Sequence, residues 1–585
     1  MHSKFGRVAL LSLVAVAASG LEAQAQPAET IYTGGDIITM AGRTPFYAQA
    51  LAVRDGKIAH VGSLAGAMRL KGRATRMVDL GGKTMLPGFI DGHGHMVYFG
   101  KNMIDADLVG TPDVADLVAR MKVQAARTPP GAWIVGFGYS TAKMADRRHP
   151  TRAELDAIAA DRPIMVVDAS GHLGSANSAA FREAGIGADT PDPEGGNFAR
   201  IAGSRELLGA MEETALFAVR AKRPPFTGKL ADDAITGAAR EWARHGHTIA
   251  QECGVGLGND DIDIIRNAID RKLLPIDLYL CAKDSATDDV VAAAYSVATA
   301  YNRKADGTAR SLLAARPDLD RRYINRVRLG GIKFWLDGSP DTGWFSKPFA
   351  NNPPGKTGAY FGFQQVPDDV LFAAFDKYWA TGMQINMHVQ GDAAAEQALR
   401  AIEAAVRKHG MRDHRPVFIH ATYMRPDQIR RMKSVGGVPT YLTGSIPKLG
   451  EIVIHLWGPE RAHASVAART LLNAGMPFTF SHDAPVSPSP SVLTLVDAGV
   501  NRIMPNGSLI GGDERISPYD ALRAVTVMAA YQIREEASKG ILRRGKLADL
   551  VILDKNPLKV DPKTIRDIAV VETIKEGQTV FRLQP

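Results

Sequence analysis

The chain has only two cysteines in 585 residues, Cys253 and Cys281. A chain of this length does not need disulfides to hold its core. Each cysteine lies at or near the end of a strand-like run, so both are expected as buried free thiols rather than a bridge. Lysine and arginine are scattered, with no long basic run despite a formal net charge of +8. Nucleic-acid binding is therefore unsupported. No strand-to-helix glycine motif marks a phosphate loop, and Gly195-Gly196 reads as a turn. No serine or cysteine nucleophile motif is present. Beyond the N-terminus no apolar run is long enough to span a bilayer.

What is there is an ordinary globular composition, 45% hydrophobic and 23% charged, with ample material for a large core. The first 25 residues read as a secretory signal. Lys4 and Arg7 form a basic start, Val8 to Ser19 an apolar run, and Ala23-Gln24-Ala25 a small-x-small cleavage site. Cleavage after Ala25 and a periplasmic or secreted destination are the expectation, with no stable membrane insertion afterwards; a retained anchor is the alternative.

Residues 31–80 show short alternating runs, with Asp55-Gly56 as a hairpin turn. The C-terminus has similar runs, Ala548–Asp554, Ile568–Ile574 and Thr579–Phe581. Neither end has enough strands for a sandwich alone. Residues 27–82 and 537–585 are therefore expected to share one composite β-sandwich domain. Between them, apolar strands alternate with helical patterns. Eight candidate strands are Thr84–Asp91, Thr248–Glu252, Ile276–Leu280, Val327–Trp335, Gln384–His388, Pro416–His420, Gly437–Leu442 and Phe478–His482. Eight β/α repeats over 83–536 predict an α/β fold of the (β/α)8 TIM-barrel type, with its active site at the C-terminal strand ends. The long excursion 105–235 reads as an inserted subdomain roofing that site, and the turn-rich loop 351–358 as a second lid.

The chemistry sits at those strand ends. Leu86-Pro-Gly-Phe-Ile-Asp-Gly-His-Gly-His95 ends an apolar run in two histidines. In extended backbone, residues i and i+2 share a side, so His93 and His95 can aim at one point. Lys333 lies on the fourth strand, His388 and His420 end the fifth and sixth, and Asp483 follows the eighth. One strand histidine is usually a satisfied core group; several strands ending this way point to a divalent metal. Such an ion acidifies a water and polarises a carbonyl, and Asp483 could shuttle the proton. Glu252 reads as supporting a ligand rather than reacting. Trp335, Trp344 and Phe345 form either an aromatic wall or core. Tyr139 either polarises a carbonyl or packs.

These segments resemble the amidohydrolase superfamily, in its YtcJ-like branch (amidohydrolase family 3) that includes N-substituted formamide deformylase. The resemblance rests on the His93/His95 segment, on Lys333 with Asp337-Gly338-Ser339, on His388-Val-Gln-Gly-Asp-Ala393, and on Gly545–Asp554. It implies that His93 and His95 bind the more buried metal, that Lys333 bridges two metals as carboxylysine, that His388 and His420 bind the second, and that Asp483 holds the reactive water. A plain lysine in a one-metal site is the other reading of Lys333. The resemblance also implies that His172 and Asn177, in Asp168-Ala-Ser-Gly-His-Leu-Gly-Ser-Ala-Asn177, lie near the substrate pocket and meet substrate; structural hydrogen bonding is the alternative. The sequence departs from the family where Ile419 stands before His420 and Ser481-His482 before Asp483. Alternation turns His482 away from Asp483, towards a core or supporting role.

The expectation is thus a zinc-type metal hydrolase, with one or two ions, cleaving a non-peptide amide, N-acyl or formamide C–N bond of a small-molecule substrate. A lactone or ester hydrolase, or a non-catalytic binding or regulatory protein on the same barrel, is the alternative. A homo-oligomer is left open.

Overall fold

The computed structural model describes residues 26–258, 260–284, 323–353 and 356–584. The expected secretory segment, residues 1–25, and Pro354-Gly355 of the expected second lid lie outside them. Among the described residues no helix is long and apolar enough to cross a membrane.

Eight parallel strands form one sheet in chain order: β1 (Phe89–Ile90), β2 (His247–Val255), β3 (Asp277–Lys283), β4 (Val327–Trp335), β5 (Gln384–Val389), β6 (Val417–His420), β7 (Val438–Tyr441) and β8 (Thr479–Phe480). Each pairs with its sequence neighbour, as βαβ connection favours. The sheet curls until the segments after its two edge strands meet. There Asp483 N donates to His93 O at 3.1 Å and His95 N to Ala484 O at 2.9 Å. Ile90, Ile249, Cys253, Tyr279, Cys281, Val417 and Ile419 form one buried cluster contributed by strands across the sheet. Helices cover the other face through apolar stripes. The helix Gly228–Arg244 buries Ala231, Ala234, Ile235, Ala238 and Trp242 at helical spacing.

Two expectations need correction. Thr84–Asp91 is not one strand. Thr84–Pro87 pairs with Leu550–Leu553 in an outer sheet, and only Phe89–Ile90 enters the eight-stranded one. Gly88 makes the break, because a Cβ there would lie 2.3 Å from Thr248 Cγ2. Nor are the cysteines free: Cys253 and Cys281 form a disulfide. They sit on neighbouring strands β2 and β3, and a register irregularity after Glu252 brings their Cα atoms within 4.2 Å. Strand membership was readable from the runs; the register between two strands was not.

Both chain ends contribute to the outer sheets. A six-stranded sheet takes Gln578–Arg582, Val570–Lys575 and Leu550–Leu553 from the C-terminus and Thr84–Pro87, Asp36–Ile38 and Tyr47–Ala48 from the N-terminal side. A four-stranded sheet of Lys57–Gly62, Ala50–Arg54, Thr30–Thr33 and Arg76–Asp79 lies against it. Tyr32, Leu51, Met85, Leu550, Ile552 and Ile574 make one apolar core from both. Between β1 and β2 the chain builds a separate six-stranded sheet, which runs from Ala106–Asp107 through Ile134–Tyr139, Ile164–Asp168, Leu173–Ala176 and Leu207–Glu213 to Gly196–Arg200.

Candidate metal centre

The C-terminal ends of the parallel strands carry the polar side chains. His93 and His95 follow β1, Lys333 lies within β4, His388 is in β5, His420 ends β6, and Asp483 follows β8. The loop holding the two histidines is fixed from below. Asp91 accepts from His93 N at 3.0 Å, from Trp242 Nε1 at 2.9 Å and from Gln251 N at 3.1 Å. His420 and Asp483 have φ of +67° and +51°. Non-glycine residues rarely take that conformation, and functional sites are where such strain collects.

The side chains converge. Asp483 Oδ1 lies 3.2 Å from His93 Nε2 and 3.3 Å from His95 Nε2, and Asp483 Oδ2 is 3.7 Å from His420 Nε2. One donor atom from each of His93, His95 and Asp483 fits within a 4.8 Å group. The ring of His420 is 5.8 Å from that of His93 and 4.5 Å from that of His388. Lys333 is buried, with its Nζ 5.0 Å from the centre of the Trp335 ring.

Carboxylates fix the ring orientations. His95 Nδ1 faces Glu252 Oε1 at 3.4 Å, and His388 Nδ1 faces Asp337 Oδ1 at 3.1 Å. Glu252 also accepts from Val97 N at 2.6 Å. Asp337 accepts from the backbone of Gln390, Gly391 and Trp344. A carboxylate that receives the Nδ1 proton leaves Nε2 as the lone-pair donor, which is how proteins orient metal-ligating histidines.

Charge balance tells the same story. Burial, with the Lys333 ammonium next, holds His93 and His388 well below the ordinary imidazole range; burial and then His388 do the same for His420. These rings are neutral, the form that binds a metal. Burial opposes protonation of His95, yet Asp483 and Glu252 outweigh it and raise it to about 9. A cation bound at this point would take the place of that proton. Burial alone would raise Asp483, but His93, His95 and His420 around it hold the carboxyl well below the usual carboxylate range. Burial pushes Lys333 down to about 7, opposed by Asp483.

The donor set fits a divalent ion. His93 Nδ1 and Nε2, His420 Nδ1, Lys333 Nζ and Asp483 Oδ1 are buried and make no well-formed hydrogen bond. Buried polar atoms without partners are expensive. Of these, His93 Nε2 and Asp483 Oδ1 face each other at 3.2 Å, and nitrogen and oxygen donors of this type suit a divalent ion.

The remaining candidates divide. His172 stands next to His388, their ring centres 6.0 Å apart. Trp335 stands beside Lys333. Phe345 is core, packed on Phe349 and Trp457. Tyr139 and Asn177 make hydrogen bonds within the fold, the structural alternative for each. The Tyr139 hydroxyl, fully buried, bonds His149 Nδ1 at 2.6 Å among apolar neighbours. Asn177 caps the helix Ser178–Ala184; its Oδ1 accepts from Ile164 N and Ala180 N, and its Nδ2 donates to the carbonyls of Ala159 and Arg162. All four hydrogen bonds of that amide are made within the chain. His482 turns away from the centre, as alternation expects, with Nδ1 accepting from Ala484 N and Nε2 3.3 Å from Asp91. Sequence reasoning missed Glu213, which lies 2.6 Å from His172 Nδ1. The two are 41 residues apart, and only the pairing of their strands joins them.

Comparison with known proteins agrees. The chain is 25% identical over 569 residues to a putative amidohydrolase, YtcJ, of Bacillus subtilis, covering 94% of this chain and 99% of that one. It is 26% identical over 557 residues to N-substituted formamide deformylase of Arthrobacter pascens, covering 91% and 94%. A crystal structure of an uncharacterized metal-dependent hydrolase from Pyrococcus horikoshii superposes with a TM-score of 0.70 at 22% identity, covering 91% of this chain and 99% of that one, which speaks for the fold. The model of the amidohydrolase family matches residues 76–581. With that match spanning nearly the whole chain, the protein belongs to the amidohydrolase family and is a hydrolase.

Proposed function

We propose that this chain hydrolyses a non-peptide C–N bond, of the amide, N-acyl or formamide kind, in a small organic molecule. The observation that carries the reading is the approach of His93 Nε2 and His95 Nε2 to one Asp483 oxygen at 3.2 and 3.3 Å. The formamide deformylase among its relatives supports the bond type.

In this reading His93, His95, His388, His420 and Asp483 would hold one or two zinc ions. A bound divalent ion supplies Lewis-acid chemistry, acidifying a water and polarising the carbonyl. Asp483 accepts the proton that the water gives up and passes it to the leaving nitrogen. The neutral His93, His388 and His420 stay unprotonated through this, because burial disfavours their charged forms. Lys333, its amine pushed down to about 7 by burial, would react with carbon dioxide and lose one proton to give an anionic carbamate, a ligand that two metal ions would share. His172 and Trp335 contact substrate.

We further read the curled parallel sheet as a closed (β/α)8 barrel over 83–536, with 105–235 as its roof and 27–82 plus 537–585 as a composite sandwich. Export to the periplasm fits the first 25 residues and the Cys253–Cys281 disulfide, since such bonds persist in oxidising compartments.

The test is a panel of formanilide, N-acetyl amino acids, cyclic amides and lactones, assayed with added zinc. Turnover of an amide that falls at least about a thousandfold in Asp483→Ala, with the fold retained, is the expected result. Equal turnover by Asp483→Ala contradicts it.

A further inference from the structure

Three histidines near the centre share one device. In His95 and His388 a buried carboxylate stands at Nδ1, at 3.4 and 3.1 Å. His172 has the tightest copy, with Glu213 Oε2 at 2.6 Å from its Nδ1. Yet His172 is outside the His93, His95 and Asp483 group. Its Nε2 makes no hydrogen bond among the described residues, and its side chain keeps 16% exposure.

Glu213 occupies a demanding position. It is 1% exposed, and its backbone has φ +50° and ψ −119°. A buried carboxylate and a non-glycine residue in that region are each unfavourable unless specific bonds compensate. Oε2 bonds His172, and Oε1 accepts from Thr342 Oγ1 at 3.1 Å. Thr342 lies in the segment after β4, the strand of Lys333, and its hydroxyl meets Ser339 Oγ at 3.1 Å. The backbone adds a further tie, Glu213 N donating to His172 O at 2.8 Å. Glu213 thus joins the separate six-stranded sheet to the strand-end segments of the eight-stranded one, and His172 is the side chain held at that junction.

We propose that Glu213 is the positioning residue of His172: accepting its Nδ1–H, it holds the ring beside that of His388 and leaves Nε2 as the nitrogen that meets the substrate's polar group. What Nε2 meets rests on the hydrolase reading above; the positioning does not. The arrangement follows the logic by which a buried carboxylate fixes the tautomer and aim of a working imidazole.

The test uses the full chain labelled with 15N-histidine, with His172→Gln to assign the His172 signals. Wild type should show His172 protonated at Nδ1. Glu213→Ala should lose that state, while Glu213→Gln, which keeps an acceptor, should retain it. Zinc content and the urea midpoint are read alongside. With formanilide as probe, Glu213→Ala should lower kcat roughly ten- to a hundredfold at constant zinc and with KM within about threefold, and Glu213→Gln should recover most of it. An unchanged His172 signal in Glu213→Ala overturns the proposal. So does a folded Glu213→Gln whose His172 signals match those of Glu213→Ala. If Glu213→Ala does not fold, the Gln variant alone decides. Absence of wild-type turnover with the Nδ1–H signal intact counts against the amide reading, and the signal still supports the positioning.

Discussion

At the scale of single residues, the centre depends on which nitrogen each histidine presents. Glu252 takes the Nδ1 side of His95 and a backbone N–H of the following helix, so its loss frees both. Glu252→Ala is expected to weaken zinc binding about 10- to 100-fold, measured by competition with a chromophoric chelator, with little change in the far-ultraviolet spectrum. Undiminished zinc affinity would show that His95 needs no orienting partner. The ligand candidates were legible because strand ends, alternation and metal chemistry all leave marks in a linear sequence. The orienting carboxylates were less so. Glu252 stood out as the end of its own strand, but its link to His95 crosses 157 residues, and Glu213 left no local signal at all. For Asn177 and Tyr139 the sequence left two roles open, and the bonds that engage them, a helix cap and a buried hydrogen bond, depend on partners it does not mark.

At the scale of elements, hydrophobic runs located the strands but not their partners. The run from Thr84 serves two sheets, and Gly88 is the point of transfer. Gly88→Ala puts a methyl 2.3 Å from Thr248 Cγ2, a β-branched side chain on the buried neighbouring strand. It is expected to destabilise by about 1–3 kcal/mol, read as a lower urea midpoint. A Gly88→Ala midpoint equal to wild type would mean that β1 and β2 separate at no penalty. The Cys253–Cys281 bond closes a separation of 28 residues between β2 and β3. Loop-closure entropy puts its contribution at about 3–4 kcal/mol. The paired Cys253→Ala, Cys281→Ala variant should unfold at correspondingly lower urea, and free-thiol titration of unfolded, unreduced wild type should find none.

At the scale of the whole molecule, a buried ion network ties the curled sheet to the C-terminal strands. Asp277 on β3 meets Lys539 and Lys575, each at 2.7 Å, and Lys575 also meets Asp549 at 2.8 Å. Burial would raise the Asp277 carboxyl, but the two ammoniums hold it well below the usual carboxylate range. Its folded value lies below the unfolded one of about 3.9. The stabilisation is therefore complete above that pH and is lost as pH falls from about 4 towards the folded value. Asp277→Asn should be less stable at neutral pH by roughly 3 kcal/mol and lose less on acidification, read from urea midpoints between pH 7 and 3. Parallel acid limbs for the two proteins would contradict this. Joining of the chain ends was legible from their shared alternation, since neither had strands enough to close a core. The ion network was not, because its members are far apart in sequence and charged residues read as surface.

The central claim is that the segments after β1 and β8, with the C-terminal ends of β5 and β6, grip a cation. The direct measurement is metal content of the purified full chain after zinc loading and dialysis, compared with His93→Ala. At least one tightly held equivalent in wild type and its loss in His93→Ala is the predicted result; a metal-free wild type, or equal content in both, would contradict the account.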